Sequence, residues 1–259
     1  MLVQSYPLLV AGKTIMTDLN HLTELNEKRR AIRPLLSPAS PADALTSYYA
    51  LWHDPRRTQL TLHHNDRHLV DGFATVSQTG VDLFRPLVTL RAPDDTVAAQ
   101  LLRAVLTPDR SCYFIVPVAL AAIVRSQVEL SRSSLNRIYI LDQAKFRPVI
   151  NVLVQRVGAA DGAPRFEIES QGEVMAMSGT NWRSPTFAEV FVYTHPRGRG
   201  RGWGRSVVSA CTGALLEDKL RPLYIVDEGN EASIRIAEAV GYVDSGLREF
   251  AGEGHLIAG

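Results

Sequence analysis

The chain has only two cysteines in 259 residues, Cys112 and Cys211. Each lies within an apolar run, and neither has the spacing of a metal site, so both read as buried, inert thiols of a reducing compartment. Long hydrophobic runs are missing as well. None approaches the roughly 20 residues that cross a bilayer, and no membrane partner is expected. The opening stretch MLVQSYPLLVAGKTIM is mildly apolar but lacks a basic start and an A-x-A cleavage signal. These absences point to the cytoplasm. An excess of charge is also lacking: 28 basic residues stand against 27 acidic ones, for a net +1, which argues against a nucleic-acid footprint over the whole chain. With 46% hydrophobic and 21% charged residues, the sequence describes a well-cored soluble protein, long enough for one large domain or two of ordinary size.

Positive charge is instead concentrated in one place. The stretch FAEVFVYTHPRGRGRGWGR, Phe187 to Arg205, opens as a strand, with Val190, Val192 and Thr194 on one face and Phe191 and Tyr193 on the other. His195-Pro196 ends the ladder, because proline donates no N–H. Gly198, Gly200, Gly202 and Gly204 then alternate with arginines. From Trp203 apolar residues recur at helical spacing through Val207, Val208, Cys211, Leu215 and Leu216. Glycines let the backbone approach a ligand, and the first turn of a helix offers unpaired N–H groups and a positive dipole end. Together these features make an anion site suited to a pyrophosphate. An RGG-like nucleic-acid tract is the rival reading, but the shortness of the turn and its place between strand and helix favour the cradle.

Elsewhere the patterns predict a helix over Asp18–Leu36, a second over Ala42–Trp52, and a hairpin from Gln59 to Val76 turning at His64–Arg67. A strand over Phe84–Leu90 follows, then a helix capped near Asp94 and running to Leu106, and a strand over Cys112–Val116. The first half closes with a helix over Pro117–Val128 and an extended segment over Ser134–Leu141. After Asp142 the order begins again: extended Val149–Val157, a turn at Asp161-Gly162, strands Arg165–Ser170 and Val174–Trp182, and the strand–turn–helix of the basic stretch. Pro222–Val226, a helix capped by Asn230 and ending at Gly241, and the strand Tyr242–Phe250 complete it. The shared order suggests two related folds in tandem, residues 1–143 and 144–259, in an α/β (α+β) class with a mixed central sheet flanked by helices. Where the second half has its glycine turn, the first has Leu90-Arg91-Ala92-Pro93-Asp94-Asp95, whose carboxylates would repel a phosphate. Only the second half is expected to hold an anion there. Four histidines, His53, His63, His64 and His68, lie close in sequence; His63 and His64 point to opposite faces of a strand, and no metal site is expected.

Arg199, Gly202 and Gly204 fit the Arg/Gln-x-x-Gly-x-Gly/Ala signature of the GNAT superfamily of N-acetyltransferases, and Asn230, Ser233, Gly241 and Tyr242 resemble its N-x-x-S … G-[FY] segment. The likeness covers Phe166 to Phe250 and implies tandem GNAT-like halves with a degenerate first half. It further implies acetyl-CoA as co-substrate. Backbone groups of Val192, Tyr193 and Thr194 would pair with the pantetheine arm. The N–H groups of Arg199, Gly200, Arg201, Gly202, Trp203, Gly204 and Arg205 would hold the pyrophosphate, and Asn230 and Ser233 would touch the coenzyme from the next helix.

The implied reaction is direct attack of a primary amine of a small molecule on the acetyl thioester. It needs a base, an oxyanion donor and a proton for the thiolate. Glu189 resembles the strand glutamate that serves as base in the family, and a backbone N–H near Val192 would serve the oxyanion. The usual tyrosine position is Ala237 here, so Tyr193 is taken as the acid, with Tyr224 or solvent as alternatives. A non-catalytic acyl-CoA sensor or interaction module is the alternative function. A monomer or homodimer is expected, with no nucleic-acid partner.

Overall fold

The computed structural model describes residues 9–79, 82, 84–158 and 162–257, and side chains from residue 20 onward. The first helix, α1 (Leu9–Ile32), is followed by the short α2 (Ala44–Ser47) and one π-helical turn over Tyr48–Trp52. Then come strands β1 (Thr58–His64), β2 (Val70–Ser77) and β3 (Leu87–Arg91), helix α3 (Asp95–Val105), strand β4 (Cys112–Pro117), helix α4 (Ala121–Gln127) and strand β5 (Val128–Leu141). The second half opens with β6 (Gln155–Gly158) and β7 (Pro164–Ser170). It continues through β8 (Glu173–Arg183), β9 (Phe187–Thr194), α5 (Trp203–Glu217), β10 (Arg221–Asp227), α6 (Glu231–Val240) and β11 (Tyr242–Leu256).

All described strands join one 11-stranded sheet in the order β1-β2-β3-β4-β11-β5-β10-β9-β8-β7-β6. The order is nearly palindromic about the β11–β5 pair. The strand that ends each half lies beside the last strand but one of the other: β11 pairs with β4, and β5 pairs with β10. Two neighbouring pairs are parallel, β3 with β4 and β9 with β10, and they occupy matching places in the two halves.

Alternation along the strands sorts the core. Val88, Leu90, Phe114 and Val116 pack under α3 and α4, while Ala188, Val190, Tyr224 and Val226 pack under α5 and α6. Residues of the opposite parity, Leu87, Phe187, Leu223 and Ile138, face the other way and bury Ala44, Leu45 and Tyr49 from α2 and the π-helical turn. The helix α1 lies on that same side, where Leu25 and Ile32 meet Leu60 and Phe73.

Several boundaries differ from the sequence reading. Both central strands are longer than expected: β5 begins at Val128 and β11 runs on to Leu256. The added part of β11 is paired on both sides, by β4 and β5, so ladder hydrogen bonds hold residues of poor strand propensity such as Gly252 and Gly254. Residues 118–127 are a 3-10 turn and a short helix instead of one helix. The segment expected as extended over Val149–Val157 is a strand only from Gln155. Before it, the backbone N–H of Val149 donates to Ser209 Oγ at 2.9 Å and the Asn151 amide donates to Ser206 Oγ at 3.1 Å, which tie the loop to α5. The first β3 residue is Leu87, and Phe84 lies outside the strand with its ring exposed. Asp161 of the expected turn lies outside the described residues; Gly162 has φ +71°. No described helix is long and apolar enough to cross a membrane.

Candidate functional site

The parallel strands β9 and β10 pair only through Phe187–Arg221, Ala188–Pro222 and Glu189–Leu223. Beyond Glu189 they part, and the β10-facing edge of Val190 to Thr194 has no strand partner among the described residues. An unpaired edge beside a gap is what an extended, amide-bearing arm can join by adding itself as a strand.

At the C-terminal end of β9 the glycine turn leads into α5. Gly200 and Gly202 take φ of +75° and +74°, a conformation that costs a residue with a side chain. Gly202 is the N-cap, so no side chain caps α5, and its first N–H groups stay available. Gly204 matters for space: a Cβ there would come within 2.8 Å of Thr194 Oγ1 and 3.0 Å of Ile236. Its absence lets α5 lie close to β9 and α6. A cavity of about 440 Å³ stands at this helix end, lined by Thr194, Arg199, Gly200, Gly202, Trp203, Gly204 and Arg205. The same cavity is bordered by Gly198 and, from α6, by Ala232, Arg235, Ile236 and Ala239, which no sequence signal singled out. Helix dipole, free N–H groups and the Arg199 and Arg205 guanidinium groups all favour an anion there.

The other basic residues are otherwise engaged. Arg197 forms an ion pair with Glu173, and the Arg201 guanidinium lies over the Trp203 ring at 4.9 Å. Asn230 caps α6, its Oδ1 accepting from the Ser233 N–H at 3.2 Å, and Ser233 Oγ shares a 2.7 Å hydrogen bond with the Tyr224 hydroxyl. Neither Asn230 nor Ser233 borders the 440 Å³ cavity; nor do Val192, Tyr193 or Arg201.

The corresponding turn of the first half is built differently. Asp94 is the N-cap of α3, and its Oδ1 accepts from the Val97 N–H at 2.9 Å. A carboxylate of the chain itself thus fills the position that α5 leaves open.

On the opposite face of the sheet, Glu189 is half-buried in a second cavity, of about 350 Å³. A bulge shapes this place. Thr180 pairs with Val190 and Trp182 with Glu189, which leaves Asn181 as the extra residue of β8 and sets Asn181 and Trp182 on one face. The Asn181 amide donates to Glu189 Oε1 at 3.0 Å. Burial pushes the Glu189 carboxyl up to about 7, and the Asn181 and Trp182 side chains oppose the rise. The Trp182 indole stacks on Tyr48 at 5.4 Å, while its N–H is buried and makes no hydrogen bond of good geometry. Tyr49, from the π-helical turn, borders the same cavity; burial first and the nearby Glu189 second hold its hydroxyl proton firmly.

A second buried carboxyl stands near. Glu249 on β11 is pushed up to about 8, chiefly by burial and then by Glu189, with Arg91 and Asn136 acting in the other direction. Its Oε2 is buried without a partner. Nothing in the sequence marked Glu249, because its neighbourhood is created by pairing between distant strands.

The two tyrosines considered as acids occupy different surroundings. Tyr193 is on the Glu189 face of β9 and 44% exposed. Tyr224 is the first β10 residue past the last β9 pairing, is buried, and has its hydroxyl pushed up to about 12 by burial. Ala237 is wholly buried on the inner face of α6. His53 and His63 are engaged with Thr58 and Asp71 at 2.8 Å and 2.6 Å.

A strand pair that parts beside a glycine turn and an uncapped helix defines the fold of the GNAT N-acetyltransferases, and solved structures of that class superpose on most of this chain. The match to a GCN5-related N-acetyltransferase from Kribbella flavida has a TM-score of 0.61 at 15% identity and covers 85% of this chain and 96% of that one. A tandem GNAT protein from the clavulanic acid biosynthesis pathway gives 0.56 at 12% identity, covering 93% and 95%. An acetyltransferase of the GNAT family from Colwellia psychrerythraea gives 0.53 at 14% identity, covering 91% and 97%. Within the chain, residues 170–250 match the family described as FR47-like protein, a GNAT-related family. No curated protein matches the sequence significantly.

Proposed function

We propose that the protein is an acetyl-CoA-dependent N-acetyltransferase that acetylates a primary amine of a small molecule by direct attack. The observation that carries this reading is the position of Glu189, at the last paired residue of β9, between the gap beside β10 and the 350 Å³ cavity. In this reading the pyrophosphate lies against the α5 N-terminus with Arg199 and Arg205, and the pantetheine arm runs along Val192, Tyr193 and Thr194 toward the gap.

The chemistry then assigns itself to side chains. An amine arrives as an ammonium ion and must lose a proton before it can attack. A carboxyl pushed up to about 7 is a far better acceptor for that proton at neutral pH than an ordinary glutamate. A backbone N–H of the parted strand near Val192 meets the developing oxyanion. Tyr224 borders the gap and remains protonated at neutral pH, so it is able to supply the thiolate's proton; Tyr193 is the other tyrosine on these strands.

Release of free thiol from acetyl-CoA, followed over a panel of amines, tests the reading. Acceptor-dependent release supports it. Tight coenzyme binding with no release on any acceptor would replace it with the acyl-CoA sensor.

A further inference from the structure

The 350 Å³ cavity at Glu189 has an uneven chemistry. Leu45, Leu87, Ile115 and Ile225 contribute aliphatic wall, and the Tyr49, Tyr113 and Trp182 rings contribute flat apolar faces. Its polar side chains are Thr79, Asn136, Asn181 and Glu189 together with the tyrosine hydroxyls and the indole N–H. Among the described lining residues Glu189 is the sole acid, and there is no lysine, arginine or histidine. The volume is within the roughly 300–1,000 Å³ range of small-molecule sites.

This lining discriminates between amines. One carboxylate matches one ammonium group. An amino acid would bring a carboxylate to within a few ångströms of Glu189 with no cation to receive it, and burying that charge unpaired is costly. A polyamine would carry a second ammonium into an apolar wall. Beside it, a pocket of about 260 Å³ shares Tyr113, Asn136, Ala251 and Gly252 and is further lined by Arg132, Asp227 and Glu253. Glu253 is ion-paired with Arg85, and the Asp227 carboxyl, lowered first by a Ser134 hydrogen bond, also feels the Arg132 cation. In that pocket each acid has an arginine near it, Arg85 at Glu253 and Arg132 at Asp227, so a second ammonium would compete with a resident cation.

Resting on the transferase reading, we infer that the acceptor is a monoamine carried on an apolar body, an alkyl- or arylalkylamine, whose amino group meets Glu189 and whose body lies between Ile225, Leu87 and the Trp182 and Tyr113 rings. The adjoining polar pocket beyond Asn136 accommodates an uncharged polar end.

A homologous series tests this without altering the protein. With acetyl-CoA saturating, kcat/KM is measured for linear primary amines of increasing chain length, for 2-phenylethylamine, and for putrescine, spermidine, glycine and an aminoglycoside. Each methylene that the cavity buries raises kcat/KM about fourfold, until the body fills it. The phenyl compound exceeds every polyamine, amino acid and aminoglycoside by at least tenfold. Calorimetric binding of the same amines to the protein with coenzyme A is the second readout. A flat or falling chain-length series, or a polyamine or amino acid as the best acceptor, overturns the inference while leaving the transferase intact. Affinity that climbs with chain length but without turnover upholds the inference and removes the transferase. No binding of any apolar amine overturns the inference outright.

Discussion

The side-chain amide of Asn181 donates to Oε1 of Glu189 across 3.0 Å, and the two meet because β8 carries one residue more than β9 at that point. The bulge turns both Asn181 and Trp182 toward the cavity and gives the carboxyl one donor, far fewer than full hydration supplies. A single hydrogen bond moderates the effect of burial without cancelling it.

Glu189→Gln removes the base while keeping the shape. Turnover is expected to fall roughly 10²-fold, in line with what a positioned base contributes, with coenzyme affinity by calorimetry unchanged. In the parent protein, kcat/KM should rise with pH through about 7, since the carboxyl acts only when ionised. The variant should lose that limb of the profile, and retention of it would take Glu189 out of the mechanism.

Asn181→Leu deletes a hydrogen bond to the ionised form. The Glu189 carboxyl is then harder to ionise, so the rising limb of the pH profile moves to higher pH than in the parent. A limb that stays in place, or moves down, would show that Asn181 does not tune this group.

Gly202→Asp puts a carboxylate at the start of α5, where α3 has Asp94, although the backbone there is left-handed at φ +74° and that of Asp94 is extended. A carboxylate at the helix start competes with the pyrophosphate and repels it. Coenzyme affinity should drop by about 10²-fold or more, equivalent to about 3 kcal/mol, with the circular dichroism of the fold preserved. Unchanged affinity would refute the cradle.

Glu249 supplies a stability test. Its folded value of about 8 exceeds the unfolded value near 4.3, so the folded protein holds a proton that the unfolded chain releases. Stability present at about pH 4 is therefore lost as pH rises toward 8. Glu249→Gln should melt like the parent at pH 4 and be more stable at pH 8.5, by on the order of 2–4 kcal/mol. Equal melting temperatures at pH 8.5 would show that Glu249 is not held protonated.

Local chemistry was the legible part. Asp94, Asn230 and Gly241 marked helix ends through capping, and alternating β-branched residues followed by glycines marked β9 and its turn. These features depend on neighbours within a few residues. Glu189 could be named as a base only through a family resemblance, because its burial depends on Tyr49, more than a hundred residues earlier, and on the β8 bulge. The π-helical turn that presents Tyr48 and Tyr49, the extra residue at Asn181, and the Glu249 carboxyl have no short-range signature. Likewise, β11 looks weaker in sequence than it is in the sheet, since β4 and β5 pair with it on both sides and compensate for indifferent propensity.

The crossing of β5 and β11 means that neither half of this chain has a whole sheet of its own. A piece cut after Gln143 and comprising residues 144–259 would lack β5, leaving bare edges on both β10 and β11 at the sheet's centre. Produced separately, the two pieces should aggregate; produced together, they should find one another and restore coenzyme binding. The first half fills its own helix terminus with Asp94, yet it cannot be shed: it supplies β5, which carries Asn136, and β4, which carries Tyr113, to the walls of the cavity at Glu189. The half whose helix start is closed by Asp94 thus helps to build the cavity of the half whose helix start is open.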